Sequence, residues 1–217
     1  MSVSPQRATL PGLLAILLWS TSVGLLRSIS EAFGPVGGAA LIYTVSSLCL
    51  MVSPGIIHPG RLPRRYVIIG GALFVGYEIC LALAIGLAHT RAQSLELGMI
   101  NYLWPSLTVL LAVLINGQRC RVWLWPGLLL AINMQDNPVA YALAFSAALV
   151  WALYCNLTRR WSNGQNGVAL FFCATATVLW LQYSLVPQPP MQLSLPAVAQ
   201  LLFMGLSTAT AYAAWNY

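Results

Sequence analysis

Apolar residues in this chain run in long unbroken blocks instead of alternating with polar ones. The blocks cover Ala8 to Arg27, Pro35 to Pro54, Tyr66 to Ala88, Gln93 to Ile115, Pro138 to Thr158, Gly167 to Val186 and Ala197 to Tyr217. Each is close to the ~20 residues that a helix needs to cross the hydrocarbon of a bilayer. Val122 to Ile132 is shorter: at about eleven residues it gives roughly 16 Å of helix, about half the thickness to be crossed. The first block could serve as a secretory leader, but it is long, contains Trp19 and is followed by no small-x-small site, so it is expected to stay in the membrane. The longest loops, Gly55 to Arg65 and Pro187 to Pro196, are short and Pro-rich, and no Gly-rich phosphate loop is present. A nucleotide-driven pump is therefore not expected.

Composition agrees. Of 217 residues, 59% are hydrophobic and 6% charged, with a mean hydropathy of +0.77, against roughly 25% charged in soluble domains. The pattern predicts an all-α polytopic membrane protein, with the lipid bilayer as its surroundings. All basic residues are arginine. On a model with the N-terminus inside, Arg7, Arg61, Arg64, Arg65, Arg119, Arg121, Arg159 and Arg160 share one side, with only Arg27 and Arg91 opposite. That side is expected to be cytoplasmic. Glu31 and Asp136 are assigned to outer loops, Glu78 and Glu96 to spans. The pI near 9.3 then follows from topology, and no basic face calls for nucleic acid. Arg121 and Arg159 both belong inside, so the stretch between them must cross twice and is barely long enough. Either the fifth span is a half-helix or residues are missing near Ala131 to Asp136. The chain also stops at Tyr217 inside an apolar block, which points to a longer protein.

Aligning Trp19 with Trp151 superposes Leu17-Leu18-Trp19 on Leu149-Val150-Trp151 and brings Arg27 onto Arg159. A similar offset sets Gly76-Tyr77 on Ala211-Tyr212. Five intervening spans, an odd number, would insert the second copy upside down, an arrangement used by transporters that hold substrate near the midplane. The halves would be 1–132, with its fifth helix truncated, and 138–217, without its last two helices.

Gly98-Met99-Ile100-Asn101-Tyr102-Leu103-Trp104-Pro105 carries the strongest chemical signal. Pro105 lacks an N–H and so frees a carbonyl at membrane depth, which helix packing or a polar cavity must satisfy. Helical spacing places Asn101, Trp104, Pro105 and Thr108 on one face, with Tyr102 turned away. An indole and an amide together suit an amphipathic ligand with a ring at one end; an interhelical hydrogen bond and packing would account for the same residues. Glu78, beside Tyr77 midway along its span, must be protonated, paired or in contact with water. It suits a substrate ammonium group or an exchanged proton, and equally a neutral structural role. Glu96 reads as a solvated rim acid near His89 and Arg91. Trp19, Trp151, Tyr154, Tyr212 and Trp215 lie deep in their spans rather than in an interfacial belt. They are candidate walls of an aromatic cavity, although core packing explains any one of them. Trp180 and Tyr183 are assigned to packing, and Gly34-x-x-x-Gly38 to close helix approach. Cys49, Cys80, Cys120, Cys155 and Cys173 show no metal-binding or disulfide spacing, and Gly205-x-Ser207 lacks the second Gly and strand context of a hydrolase elbow. No enzyme activity, metal or cofactor is expected.

Leu18-Trp19-Ser20-Thr21, Gly34-Pro35-Val36-Gly37-Gly38-Ala39, Tyr77-Glu78-Ile79-Cys80-Leu81-Ala82-Leu83, Gly98 through Thr108 and Ala211-Tyr212-Ala213-Ala214-Trp215-Asn216 closely resemble the bacterial aromatic amino acid exporters of the drug/metabolite transporter superfamily, with EamA-type repeats. The resemblance covers most of the chain. It implies ten helices in two inverted five-helix repeats, about eight of them represented here. It also implies an inner-membrane location and export of phenylalanine, tyrosine and tryptophan. The substrate ring would stack among Trp19, Tyr77, Trp104 and Trp151, with Asn101 and Glu78 meeting its polar end and Pro105 breaking the helix. An exporter of aromatic drugs or quaternary cations, and a membrane scaffold that transports nothing, remain alternatives. Energy coupling is left open, as is oligomeric state; a monomer is compatible.

Overall fold

The computed structural model describes residues 5–52, 62–116 and 137–215. Among these, regular structure is helical: α1 Pro5–Ser20, α2 Ser22–Phe33, α3 Pro35–Val52, a π-helical turn Tyr66–Gly70 leading into α4 Gly71–Gly86, α5 Arg91–Asn101, α6 Trp104–Asn116, α7 Pro138–Trp161, α8 Val168–Leu185 and α9 Leu195–Trp215. Among the described residues six spans are long and apolar enough to cross a membrane, seven if the bent pair α1–α2 counts as one. These correspond to the seven long blocks of the sequence. The short fifth block and the candidate gap near Ala131 to Asp136 lie outside the described residues. The chain divides into two compact units, 1–57 with 168–217 and 58–167.

In the first unit α3 packs on α8, α9 and α2, and α1 packs on α9. The first block does not form one straight helix ending at Arg27: it bends by 41° at Thr21 and runs on to Phe33. Three consecutive hydroxyls explain the bend. Ser20 Oγ, Thr21 Oγ1 and Ser22 Oγ donate to the carbonyls of Leu17, Leu18 and Trp19 at 2.7, 2.8 and 2.6 Å. Such back-bonding competes with the amide ladder and tilts a helix. Glu31, assigned to a loop from sequence, thereby lies on α2, where it pairs with Arg27 one turn earlier at 2.8 Å.

Glycine permits the close approaches. Gly34, at φ +76°, ends α2 in a backbone region that other residues rarely adopt. At Gly205 of α9 a Cβ would lie 2.5 Å from Val45 Cγ1 of α3, beside the 2.8 Å bond that Ser46 Oγ donates to the Gly205 carbonyl. Gly205→Ala should therefore push α9 off α3 and destabilise the protein by about 1–3 kcal/mol. An unchanged thermal midpoint in detergent would show that the contact can give way.

The second unit is organised around α7, which packs on α4, α6 and α5. Ala140, Ala144, Ala148 and Ala152, all fully buried, recur every fourth residue and form a smooth stripe for close packing. Its start is fixed by Asn137, whose Nδ2 donates to the Leu87 carbonyl at 2.8 Å while Oδ1 caps the Ala140 amide. Glu96, on the exposed side of α5, accepts a hydrogen bond from Tyr141 of α7. Arg159 and Arg160 occupy its last turn, where cations complement the helix dipole.

Candidate functional site

The Gly98-to-Pro105 span is interrupted: α5 ends at Asn101 and α6 begins at Trp104. At the junction the Leu103 amide reaches back to the Ile100 carbonyl at 3.0 Å, a tighter winding than the α-helix uses. Pro105 supplies the cause, since it cannot donate to the Asn101 carbonyl four residues earlier. The four residues expected on one face, Asn101, Trp104, Pro105 and Thr108, differ in exposure. Asn101 is buried at the end of α5, whereas Trp104 and Thr108 are half-buried on α6 and Pro105 is exposed. Thr108 is already engaged, its hydroxyl with the Trp104 carbonyl at 2.7 Å and its carbonyl with Asn156 Nδ2 of α7 at 3.0 Å.

Four of the sequence-nominated aromatics meet in the second unit. The Trp151 ring is the hub, with ring centroids of Tyr77 at 4.4 Å, Tyr154 at 5.0 Å, stacked at 29°, and Trp104 at 6.4 Å, edge-on at 88°. Asn101 lies beside the Tyr77 side chain, and its Oδ1 is buried with no partner among the described residues. An unmet buried acceptor costs about 1–3 kcal/mol, so this oxygen gains from any donor that reaches it. Glu78 is 3% exposed at the midpoint of α4, next to Tyr77, which places a carboxyl group within the membrane.

The sequence did not single out Phe74 or Tyr66. Phe74 lies edge-on to both Trp151 and Tyr154, at 5.7 and 5.4 Å, and the Tyr66 hydroxyl is 3.3 Å from that of Tyr154. Phe74 was legible in principle, three residues before Tyr77 and so on the same face. Tyr66, at the mouth of its block, carries only an interfacial signal.

The first unit holds its own aromatic row. Trp19 of α1 meets Tyr212 of α9 at 5.5 Å, Tyr212 meets Phe172 of α8 at 5.0 Å, and Phe172 meets Tyr43 of α3 at 5.4 Å. Trp215 closes α9; its side chain lies outside the described residues, as does all of Asn216. Trp180, assigned to packing, donates its indole N–H to Thr44 Oγ1 at 3.0 Å. Gly37 abuts Tyr183, in keeping with a packing role for that residue too.

No family model matches the chain. Relatives are nonetheless plain. The aromatic amino acid exporter YddG of Salmonella typhimurium is 48% identical over 99% of this chain and 80% of its own length. That of Escherichia coli K12 is 46% identical over 97% and 79%, and that of Ancylobacter novellus 28% identical over 82% and 67%. The alignment with the Salmonella protein spans 234 positions against the 217 residues here, so that relative carries residues this chain does not. One solved structure, described only as the crystal structure of a protein, superposes with a TM-score of 0.74 at 25% identity, over 98% of this chain and 79% of its own. By its identity to the first two relatives over nearly its whole length, the chain belongs to the YddG family of aromatic amino acid exporters.

Proposed function

We propose that this protein is a secondary transporter that exports aromatic amino acids across the bacterial inner membrane by alternating access, with its N-terminus in the cytoplasm and no catalytic chemistry of its own. The observation that carries the reading is the unmet Asn101 Oδ1 at a broken span, beside the aromatic cluster centred on Trp151. A zwitterion with a ring needs three things at membrane depth: aromatic surface, an acceptor for its ammonium group and a compensating charge. Half-buried Trp104 offers the ring surface, with Tyr77, Trp151 and Tyr154 behind it. Asn101 offers the acceptor and Glu78 the charge. Pro105 keeps the Asn101 carbonyl free of an amide donor; within the first unit, Trp19, Tyr212 and Trp215 are further candidate contacts for an aromatic ring.

Inverted repeats with halves 1–132 and 138–217 draw support from a pairing of contacts. Trp19 corresponds to Trp151 and Tyr77 to Tyr212 in the repeat alignment. Trp19 packs on Tyr212 in one unit and Trp151 on Tyr77 in the other. Exchange of partners between copies in this way is what a repeat-related pair of bundles requires.

Burial of Glu78 also favours a second reading, export of aromatic quaternary cations, because a cation gains most from a desolvated carboxylate. Counterflow into liposomes separates the readings. Labelled phenylalanine is expected to enter vesicles preloaded with tryptophan and not those preloaded with alanine. Uptake driven only by a preloaded quaternary cation would replace the amino acid reading, and no uptake with any preload would leave a membrane scaffold.

A further inference from the structure

Trp151 is poorly placed to receive a substrate ring in this structure. It is 7% exposed and enclosed by Phe74, Tyr77, Trp104 and Tyr154, so a fifth ring can reach it only if one of them moves. Tyr154 has the geometry of a bound ligand: it lies nearest to parallel with Trp151 at 29°, closer to a parallel stack than the 36° of Tyr77 or the edge-on Phe74 and Trp104. Helical spacing at i, i+3 brings the two rings together, and the hydroxyl of Tyr66, 3.3 Å away, is suited to fix the rotamer of Tyr154; either oxygen can donate.

Tyr66 is itself firmly seated. Its side chain is 1% exposed and opens the π-helical turn, a winding that is rare and recurs at functional positions. The ring folds over Gly70, where a Cβ would lie 2.9 Å from its Cδ2 and 3.1 Å from its Cε2. Four observations thus converge: a stacked ring, a hydroxyl pair, a π turn and a glycine that leaves room for the tyrosine.

We propose that Tyr154 is an internal stand-in for the transported ring, latched onto Trp151 by the Tyr66 hydroxyl and displaced when substrate binds. The inference rests on the transport reading above and adds a source of selectivity. An aromatic substrate restores the stacking that Tyr154 gives up, whereas an aliphatic one does not, so alanine fails at the displacement step. The latched fraction lowers apparent affinity in proportion, because only the unlatched state can bind.

Tyr66→Phe removes one oxygen and keeps the ring. Loss of a net hydrogen bond should raise the unlatched fraction roughly fivefold. The KM for phenylalanine counterflow should fall by the same factor with the maximal rate preserved. Gly70→Ala, which displaces the Tyr66 ring, should act in the same direction. A purely structural role for Tyr66 predicts the opposite, a raised KM. A KM that is raised or unchanged in Tyr66→Phe overturns the proposal. Half-buried Cys155, adjacent to Tyr154 on α7, reports on the latch without transport. Its alkylation by N-ethylmaleimide should quicken about fivefold in both variants, with Cys173 on α8 unchanged. Unchanged alkylation of Cys155 also overturns the latch, whereas failure of wild-type counterflow alone overturns only the transport reading.

Discussion

Trp104→Ala is expected to abolish phenylalanine counterflow while leaving the yield and thermal midpoint of the protein close to wild type. The two halves of that expectation have separate origins. Trp104 is half-buried and meets Trp151 only edge-on, so its removal leaves most of the α6–α7 packing, including the Asn156 bond to the Thr108 carbonyl, intact. A ligand ring, by contrast, loses the one indole of the cluster that retains open surface. Ring contacts carry about 0.5–1.5 kcal/mol beyond the area they bury, and burial of an aromatic adds roughly 1.5–3 kcal/mol more. Together these amount to a loss of roughly thirtyfold even at the lower end of each range. Flux remaining above about a tenth of wild type would mean that the ring binds elsewhere. Trp104→Phe, which keeps a π face but not the N–H, should retain a measurable fraction.

Trp151→Ala should fail differently, by unfolding the second unit. Four rings surround that side chain, and deleting a fully packed indole costs about 3–5 kcal/mol because its neighbours cannot all collapse into the space. Folded yield and thermal midpoint should both fall sharply, and bound phenylalanine should recover little of the loss. A Trp151→Ala protein with wild-type stability would contradict the enclosure of Trp151 by four rings, on which the latch depends. The contrast between two tryptophans one contact apart follows from burial, not residue type.

Much of this was legible in the chain itself. Block lengths alone located the spans, since the bilayer fixes the number of residues a crossing needs; α3, α7 and α8 begin within a residue of Pro35, Pro138 and Gly167. The interruption at Asn101–Trp104 was legible because proline removes a specific donor. The Thr21 bend was not: Ser and Thr are ordinary in membrane helices, and only the direction of their hydroxyls decides whether they bend the helix or bridge to a neighbour. The shared face drawn through Asn101 and Thr108 carried no information on depth: Asn101 is buried and Thr108 half-buried, a difference set by the neighbours that cover each. Trp151 and Tyr77 were chosen for depth, but nothing local told which rings would enclose which. That depends on α4 lying against α7, and it is why Phe74 and Tyr66 were missed.

Two helix breaks among the described residues differ in mechanical character. At Pro105 the missing donor is covalent, so that joint is permanently open whatever its surroundings. At Thr21 the break is held by three hydroxyl rotors, each of which can turn away and return its carbonyl to the amide ladder. The first is a fixed gap in the amide ladder of one span and the second a compliant spring whose stiffness is set by side-chain torsions. Elastic deformation of the first unit should therefore concentrate at Ser20–Ser22, whereas the Asn101–Trp104 joint in the second keeps its shape and holds a buried amide at fixed depth.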